Sequence, residues 1–269
     1  MIGTDAPGAG QQRRIALGIE YDGTAYHGWQ KQPHAPSVQE TLSRAVSAVA
    51  NEQVECIGAG RTDAGVHASG QVAHFDTGAE RRRRSWLLGI NSRLPPDINV
   101  LWVMPVAPEF HARFSARFRA YRYLLLNRPV RSALLRHRAW WVHAPLDAEL
   151  MHSAAQTLIG THDFSSFRAA ACQAKTPVRT LTDMVVERRG DRIELRCRAD
   201  AFLHHMVRNV VGSLVRVGLG VESPDWIAAV LEARNRRAAG PTAPAAGLTL
   251  TAAEYPAELL DMARVRVQE

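Results

Sequence analysis

Three glycines, an arginine and an acid fall together in Gly58-Ala59-Gly60-Arg61-Thr62-Asp63-Ala64-Gly65, which continues into Val66-His67-Ala68. Glycine lets a backbone turn sharply and come close to a ligand. A carboxylate on such a loop, with a guanidinium two residues before it, is a candidate nucleophile, base or binding group. The same residues also describe a plain tight turn in which Asp63 bonds its own backbone. A phosphate cradle fits less well, because the Gly-Lys-Ser/Thr ending of a P-loop and the G-x-G-x-x-G spacing of a dinucleotide fold are both missing.

Other chemistry-bearing residues are sparse. His204-His205 are adjacent, and on a helix adjacent side chains point in different directions and lack the i, i+4 spacing of a zinc helix. Cys56, Cys172 and Cys197 are isolated and odd in number, which fits a reducing cytoplasm and neither a metal site nor a disulfide framework. No second carboxylate pairs with Asp63 in the manner of a glycosidase. The reading is therefore of a site without metal or cofactor.

The elements that must position the loop come from the hydrophobic pattern. Residues 1–13 hold three glycines and a proline without apolar period and read as a disordered extension. Ile15 to Tyr21 alternates as a strand. Ser37-Val38-Gln39-Glu40 reads as a capping box, with Ser37 capping and Glu40 reaching back, ahead of a helix with Val38, Leu42, Val46 and Val49 on one face. Val54 to Ile57 and Gln71 to Phe75 read as strands on either side of the loop. A helix over Trp86–Leu94 and a strand over Val100–Val106 follow.

From Ala120 the plan repeats. Ala120 to Asn127 is a strand, and Asp147 caps a helix with Leu150, Met151, Ala154, Leu158 and Ile159 on one side. Thr182–Arg189 and Arg192–Arg198 form a hairpin about Gly190-Asp191. Helices over Met206–Val217 and Pro224–Arg234, a loop over 236–247 and a strand over Leu248–Glu254 complete the chain. The reading is one N-terminal half over residues 14–118 and a C-terminal half over 119–269.

The formal net charge is +7, with a sequence pI of about 9.9. Lys31 and Lys175 stand beside 31 arginines. This balance favours a polyanionic partner, nucleic acid first, and guanidinium groups suit phosphate and base contacts. No run approaches the roughly 20 apolar residues of a membrane helix, and no apolar leader opens the chain. Charge alone does not separate an RNA-modifying enzyme from an RNA-binding protein without catalysis, and a nucleoside enzyme acting on small molecules would not need so basic a surface.

Six further blocks change that balance: Leu17-Gly18-Ile19-Glu20-Tyr21-Asp22-Gly23, His27-Gly28-Trp29-Gln30, Phe110-His111-Ala112-Arg113-Phe114-Ser115, Tyr121-Arg122-Tyr123, Asp163-Phe164-Ser165-Ser166-Phe167-Arg168 and Phe202-Leu203-His204-His205-Met206-Val207-Arg208-Asn209. Together with G-R-T-D-A-G-V-H-A, and in this order, they resemble the tRNA pseudouridine synthase A family. The resemblance implies an α+β (mixed α/β) fold of two ferredoxin-like halves, joined through a largely antiparallel central sheet with a catalytic cleft between them. It implies isomerisation of uridines 38, 39 and 40 in the tRNA anticodon stem-loop, in the cytoplasm, by a homodimer. It makes Asp63 the catalytic aspartate, Arg208 its partner, Tyr121 the substrate-binding tyrosine and Arg61 the base-flipping residue. Contacts to tRNA are implied for Arg81, for Phe110, His111, Ala112, Arg113 and Phe114, and for Ala171, Cys172, Gln173, Ala174 and Lys175.

Overall fold

The structure is a computed structural model that describes residues 12–260. The extension expected over residues 1–13 lies outside the described residues up to residue 11, and Arg13 already opens the first strand.

The N-terminal elements are β1 (Arg13–Tyr21), α1 (Val38–Ala50), β2 (Ile57–Gly58), β3 (His67–Thr77), α2 (Arg83–Asn91) and β4 (Ile98–Val106). They are followed by β5 (Phe118–Asn127), β6 (Trp140–Val142), α3 (Ala148–Gln156), β7 (Gly160–Asp163), β8 (Val178–Arg189) and β9 (Arg192–Ala199). Helices α4 (Met206–Gly218) and α5 (Trp226–Ala233) and strand β10 (Leu248–Glu254) complete them. The fold is α+β. One sheet runs in the order β4-β1-β3-β10-β5-β9-β8-β7, with β2 added to β3 and β6 to β5. Its pairings are antiparallel except β10 with β3 and β5 with β6.

Strand β10 is the seam. It pairs with β5 along its length and with β3 only at His67 and Ala68, where the Asp63 loop ends. Strand β10 thereby joins the strands before residue 107 to those after 117, and it does so beside the candidate loop.

Alternate residues of each strand face opposite sides of the sheet. On one side Ile15, Leu17, Ile19, Tyr123, Leu125, Ile193 and Leu195 form a single core with the buried faces of the helices. Helix α4 contributes most, with Val207, Val210, Val211, Leu214 and Val217 buried. On the other side a smaller cluster of Ala16, Val72 and Met104 is covered by Phe110, Ala112 and Leu260. Among the described residues no helix is long and apolar enough to cross a membrane.

Several elements differ from their sequence reading. Ser37 does cap α1, its Oγ accepting the Glu40 N–H at 3.3 Å, but the Glu40 carboxylate lies 3.7 Å from Lys31 Nζ. Residues 54–56 are not strand: Ser47 Oγ takes the Val54 N–H and Ser43 Oγ the Cys56 N–H, so hydroxyls of α1 occupy donors that a ladder would need. Helix α3 stops at Gln156, ahead of Gly160 with φ +115, and it buries Met151, Ala154 and Ala155 while Leu150 is exposed. Leu150 is one residue, a turn of about 100°, off that face.

Candidate active site

The loop carrying Asp63 is held from both sides. Gln71, fully buried, clamps Gly60: its Nε2 donates to the Gly60 carbonyl at 2.8 Å and its Oε1 accepts the Gly60 N–H at 3.4 Å. Tyr21 Oη and Thr62 Oγ1 bond at 2.8 Å, and the Trp29 N–H donates to the Thr62 carbonyl at 3.0 Å. Gly28 makes that approach possible: its φ is +93, and a Cβ there would stand 2.4 Å from the Thr62 carbonyl oxygen. The Val66 N–H closes the turn on the Asp63 carbonyl at 3.1 Å, with Gly65 at φ +76 between them. The main chain makes a turn here, but the Asp63 carboxylate does not bond its own backbone and faces other segments instead.

What faces it comes from 145 residues away. Arg208 Nη1 donates to Asp63 Oδ2 at 2.9 Å, with both side chains mostly buried. Arg208 lies in the first turn of α4, and its Nε donates to the Ala243 carbonyl at 2.8 Å. The Ala243 N–H in turn donates to the Arg208 carbonyl at 3.1 Å, so the segment leading into β10 fixes this arginine. A guanidinium–carboxylate hydrogen bond is charge-assisted, and it fixes where Oδ2 sits.

His204 and His205 also reach Asp63. His204 Nε2 is 3.4 Å from Oδ1 and His205 Nε2 is 3.4 Å from Oδ2. The sequence reading missed this because it judged the pair by the directions that neighbours take on a helix. Helix α4 begins only at Met206, and His205 precedes it with φ +61 in the left-handed region, which turns the two rings to one side. Their centroids are 4.0 Å apart. The signal available in the sequence was the shared block with Arg208. Ligand atoms of Asp63, His204 and His205 lie within 4.8 Å of one another, a spacing that could group around a metal ion. Arg208 already supplies a positive charge on Oδ2, and a divalent cation would be repelled by it.

Tyr121 on β5 is buried, its ring packed edge-on to Phe202 at 4.9 Å. Its hydroxyl points toward the loop, 3.8 Å from where a Cβ on Gly60 would sit. Burial raises its pKa, and Tyr21 and Asp63 nearby raise it further, so the hydroxyl keeps its proton. Tyr123, two residues on, belongs to the core and donates its hydroxyl to the Pro244 carbonyl at 2.7 Å.

The other residues singled out from the sequence fall into two groups. Arg61 is exposed and reaches Gln173 Oε1 at 3.4 Å. The His204 N–H points at Cys172 Sγ at 3.4 Å, and Arg168 donates to the carbonyls of Cys172 and Ala174. The 171–175 stretch thus lies against the Asp63 site, with Ala171, Gln173 and Lys175 exposed. The 110–114 stretch lies on the other cluster. Phe110 and Ala112 are fully buried there, while Arg113 and Phe114 are exposed and His111 stacks between His74 and Phe114. Arg81 is exposed before α2 and donates to the Glu80 carbonyl.

The comparisons with known proteins agree with one another. A family model described as tRNA pseudouridine synthase matches residues 18–115 and 154–256. The chain is 57% identical over 246 residues to the tRNA pseudouridine synthase A of Aeromonas hydrophila subsp. hydrophila, covering 91% of each. It is 53% identical over 247 residues to that of Xanthomonas campestris pv. campestris, covering 91% of this chain and 96% of the relative. The family-model match includes the Asp63 loop and the block that holds Arg208, and on these grounds the chain belongs to the tRNA pseudouridine synthase family.

Proposed function

We propose that the chain isomerises uridines 38, 39 and 40 of the tRNA anticodon stem-loop to pseudouridine, with Asp63 as the catalytic carboxylate. The observation that carries this reading is the Asp63–Arg208 pair, an acid on a tightly clamped loop whose partner arrives across the seam of the sheet. Family membership supports the reaction class and the tRNA substrate.

The reaction breaks the N1–C1′ bond of uridine and forms a C5–C1′ bond, while the C5 proton is lost and N1 gains one. Electrons balance without an oxidant or reductant, so the proposal includes neither metal nor cofactor. Attack at C1′, addition to the uracil ring and removal of the C2′ proton are the three roles open to Asp63, and each uses a carboxylate oxygen as the reacting atom. Tyr121 offers the uracil an aromatic edge and a protonated hydroxyl.

A base paired in a stem must leave its stack first, at a cost of about a few kcal/mol. Arg61, exposed on the loop and tethered by a long bond to Gln173, is the side chain proposed to fill the vacated place. Arg81, Arg113, Phe114 and Lys175 are exposed and suited to phosphate or base contact, which fits recognition of tRNA by shape. Phe110 and Ala112 would serve from below by holding that loop. The reading also includes a homodimer that shares one tRNA, working in the cytoplasm.

The test is a reaction on an unmodified tRNA transcript with a chelator present and cofactors omitted. Pseudouridine is located by chemical adduct and primer-extension stops. Stops at 38–40 with the unaltered protein, and none with Asp63→Ala that still binds tRNA, are expected. Binding of tRNA by the unaltered protein without any product would overturn the reading in favour of an RNA-binding protein.

A further inference from the structure

We propose that His204 and His205 are positioning residues that, with Arg208, hold the Asp63 carboxylate by both oxygens; this rests on the reading of Asp63 as the catalytic group. Three side chains surround the carboxylate: Arg208 donates to Oδ2 at 2.9 Å, and the Nε2 atoms of His204 and His205 stand 3.4 Å from Oδ1 and Oδ2, close enough for a small ring rotation to complete the hold. The torsion that turns an aspartate carboxylate about Cβ–Cγ is broad. A carboxylate held at one oxygen swings about that bond. One held at both has a fixed plane, and the same lone pairs meet the substrate in each turnover.

The backbone is arranged for this contact at a cost. A non-glycine residue in the left-handed region is strained, because its Cβ crowds the following carbonyl oxygen. His205 accepts that strain at φ +61 and ψ 5, immediately before α4. Its carbonyl accepts the Asn209 N–H at 2.9 Å, so the helix starts in register with Arg208 on the same oxygen. His204 is fixed on both sides of its peptide: its N–H points at Cys172 Sγ, and its carbonyl accepts the Ala169 N–H at 3.0 Å. The hydrophobic effect does not explain the placement, because the His204 side chain is 40% exposed.

His205 faces Asp63 as a neutral ring, 3.4 Å from Oδ2. Burial lowers its pKa, with His204, Arg208 and Arg236 adding to the effect and Asp63 opposing it. Nothing in the proposal requires either ring to touch the uracil.

Glutamine and asparagine separate position from bulk. The glutamine amide nitrogen reaches about as far as Nε2, whereas that of asparagine reaches only as far as Nδ1. Asparagine also tolerates the left-handed conformation that His205 adopts. The measurement is the single-turnover rate of pseudouridine formation on saturating unmodified tRNA transcript, with tRNA affinity and thermal melting recorded for each variant. His204→Gln and His205→Gln are expected to stay within about threefold of the unaltered rate. His204→Asn and His205→Asn are expected to fall about 10- to 100-fold, with affinity within about twofold.

Folded asparagine variants as fast as the unaltered protein would overturn the proposal. So would losses that appear in tRNA affinity and leave the rate alone. Should the His205 variants fail to melt cooperatively, the half-exposed His204 pair decides the question. Asp63→Asn is run alongside. If it keeps the unaltered rate, the reading of Asp63 falls and the positioning proposal with it. If it is inactive while the asparagine variants are unimpaired, only the positioning proposal falls.

Discussion

Two arginine–carboxylate pairs in this molecule share a distance and little else. Arg208 meets Asp63 at 2.9 Å, and Arg196 meets Glu194 at 2.9 Å. The second pair lies on β9 between residues two apart, on a sheet face where Arg122 and Glu187 add further ion pairs in partial exposure. Strand alternation alone puts those groups together, and water competes for each of them. The first pair exists only because a glycine-rich loop, the start of α4 and the approach to β10 all converge. Distance alone therefore does not mark a working group. The number of independent segments that must be right to make the contact does.

The comparison can be broken in order of expected effect. Neutralising the seam pair comes first. Asp63→Asn is expected to slow single-turnover pseudouridine formation by at least about 10³-fold, and Arg208→Gln by about 10²-fold, with tRNA affinity retained in both. Loss of affinity with unchanged rate would place the pair in binding.

Buried polar groups that join distant segments should respond in stability as well. His74 on β3 accepts the Ala112 N–H at 3.1 Å and is nearly fully buried. Burial, with the positive charges of His111 and Arg14, lowers its pKa from 6.5 to about 4. The unfolded chain therefore binds this proton more tightly than the folded one. Stability from neutral His74 is complete above about pH 6.5 and is lost progressively as pH falls toward 4, by about 3 kcal/mol at most. Denaturant melts of the unaltered protein and His74→Gln across that window should converge as pH falls. Parallel curves would contradict the assignment.

Gly28→Ala comes next. The new Cβ would meet the Thr62 carbonyl oxygen at 2.4 Å and the Asp63 carbonyl carbon at 3.0 Å. A loss of about 1–3 kcal/mol in thermal stability is expected, together with a lower rate, because the loop must shift. The smallest effect belongs to the sheet face. Glu194→Gln should change stability by less than about 1 kcal/mol and leave the rate unchanged. A large effect there would erase the distinction between the two regions.

What could be read from the sequence follows the same division. Elements made by local pattern were legible: α1 with its Ser37 cap, the β8–β9 hairpin about Gly190-Asp191, and α4 with its valine-rich face. Residues 54–56 misled because serines of α1 take their backbone donors, which no local pattern records. Strands β6 and β7 are short, and the Gly160-Thr161-His162-Asp163 of β7 carries no apolar alternation. In the site, Asp63, Arg208 and Tyr121 were found through ordered blocks. Tyr21 and Phe202 stand in those same blocks, but that they and Gln71 clamp and line the loop shows only in three dimensions. His204 and His205 were visible as residues, but their direction depends on one left-handed backbone angle that hydrophobic period cannot disclose.

The central claim is that Asp63 does the chemistry and that Arg208 acts through it. The most direct test is the single-turnover rate of the double variant Asp63→Asn/Arg208→Gln set against both single variants on the same tRNA transcript. The account predicts that the double variant is no slower than Asp63→Asn alone, since an arginine that orients a carboxylate has nothing left to orient. Losses that multiply, to about 10⁵-fold, would mean that Arg208 acts on the substrate independently of Asp63 and would contradict it.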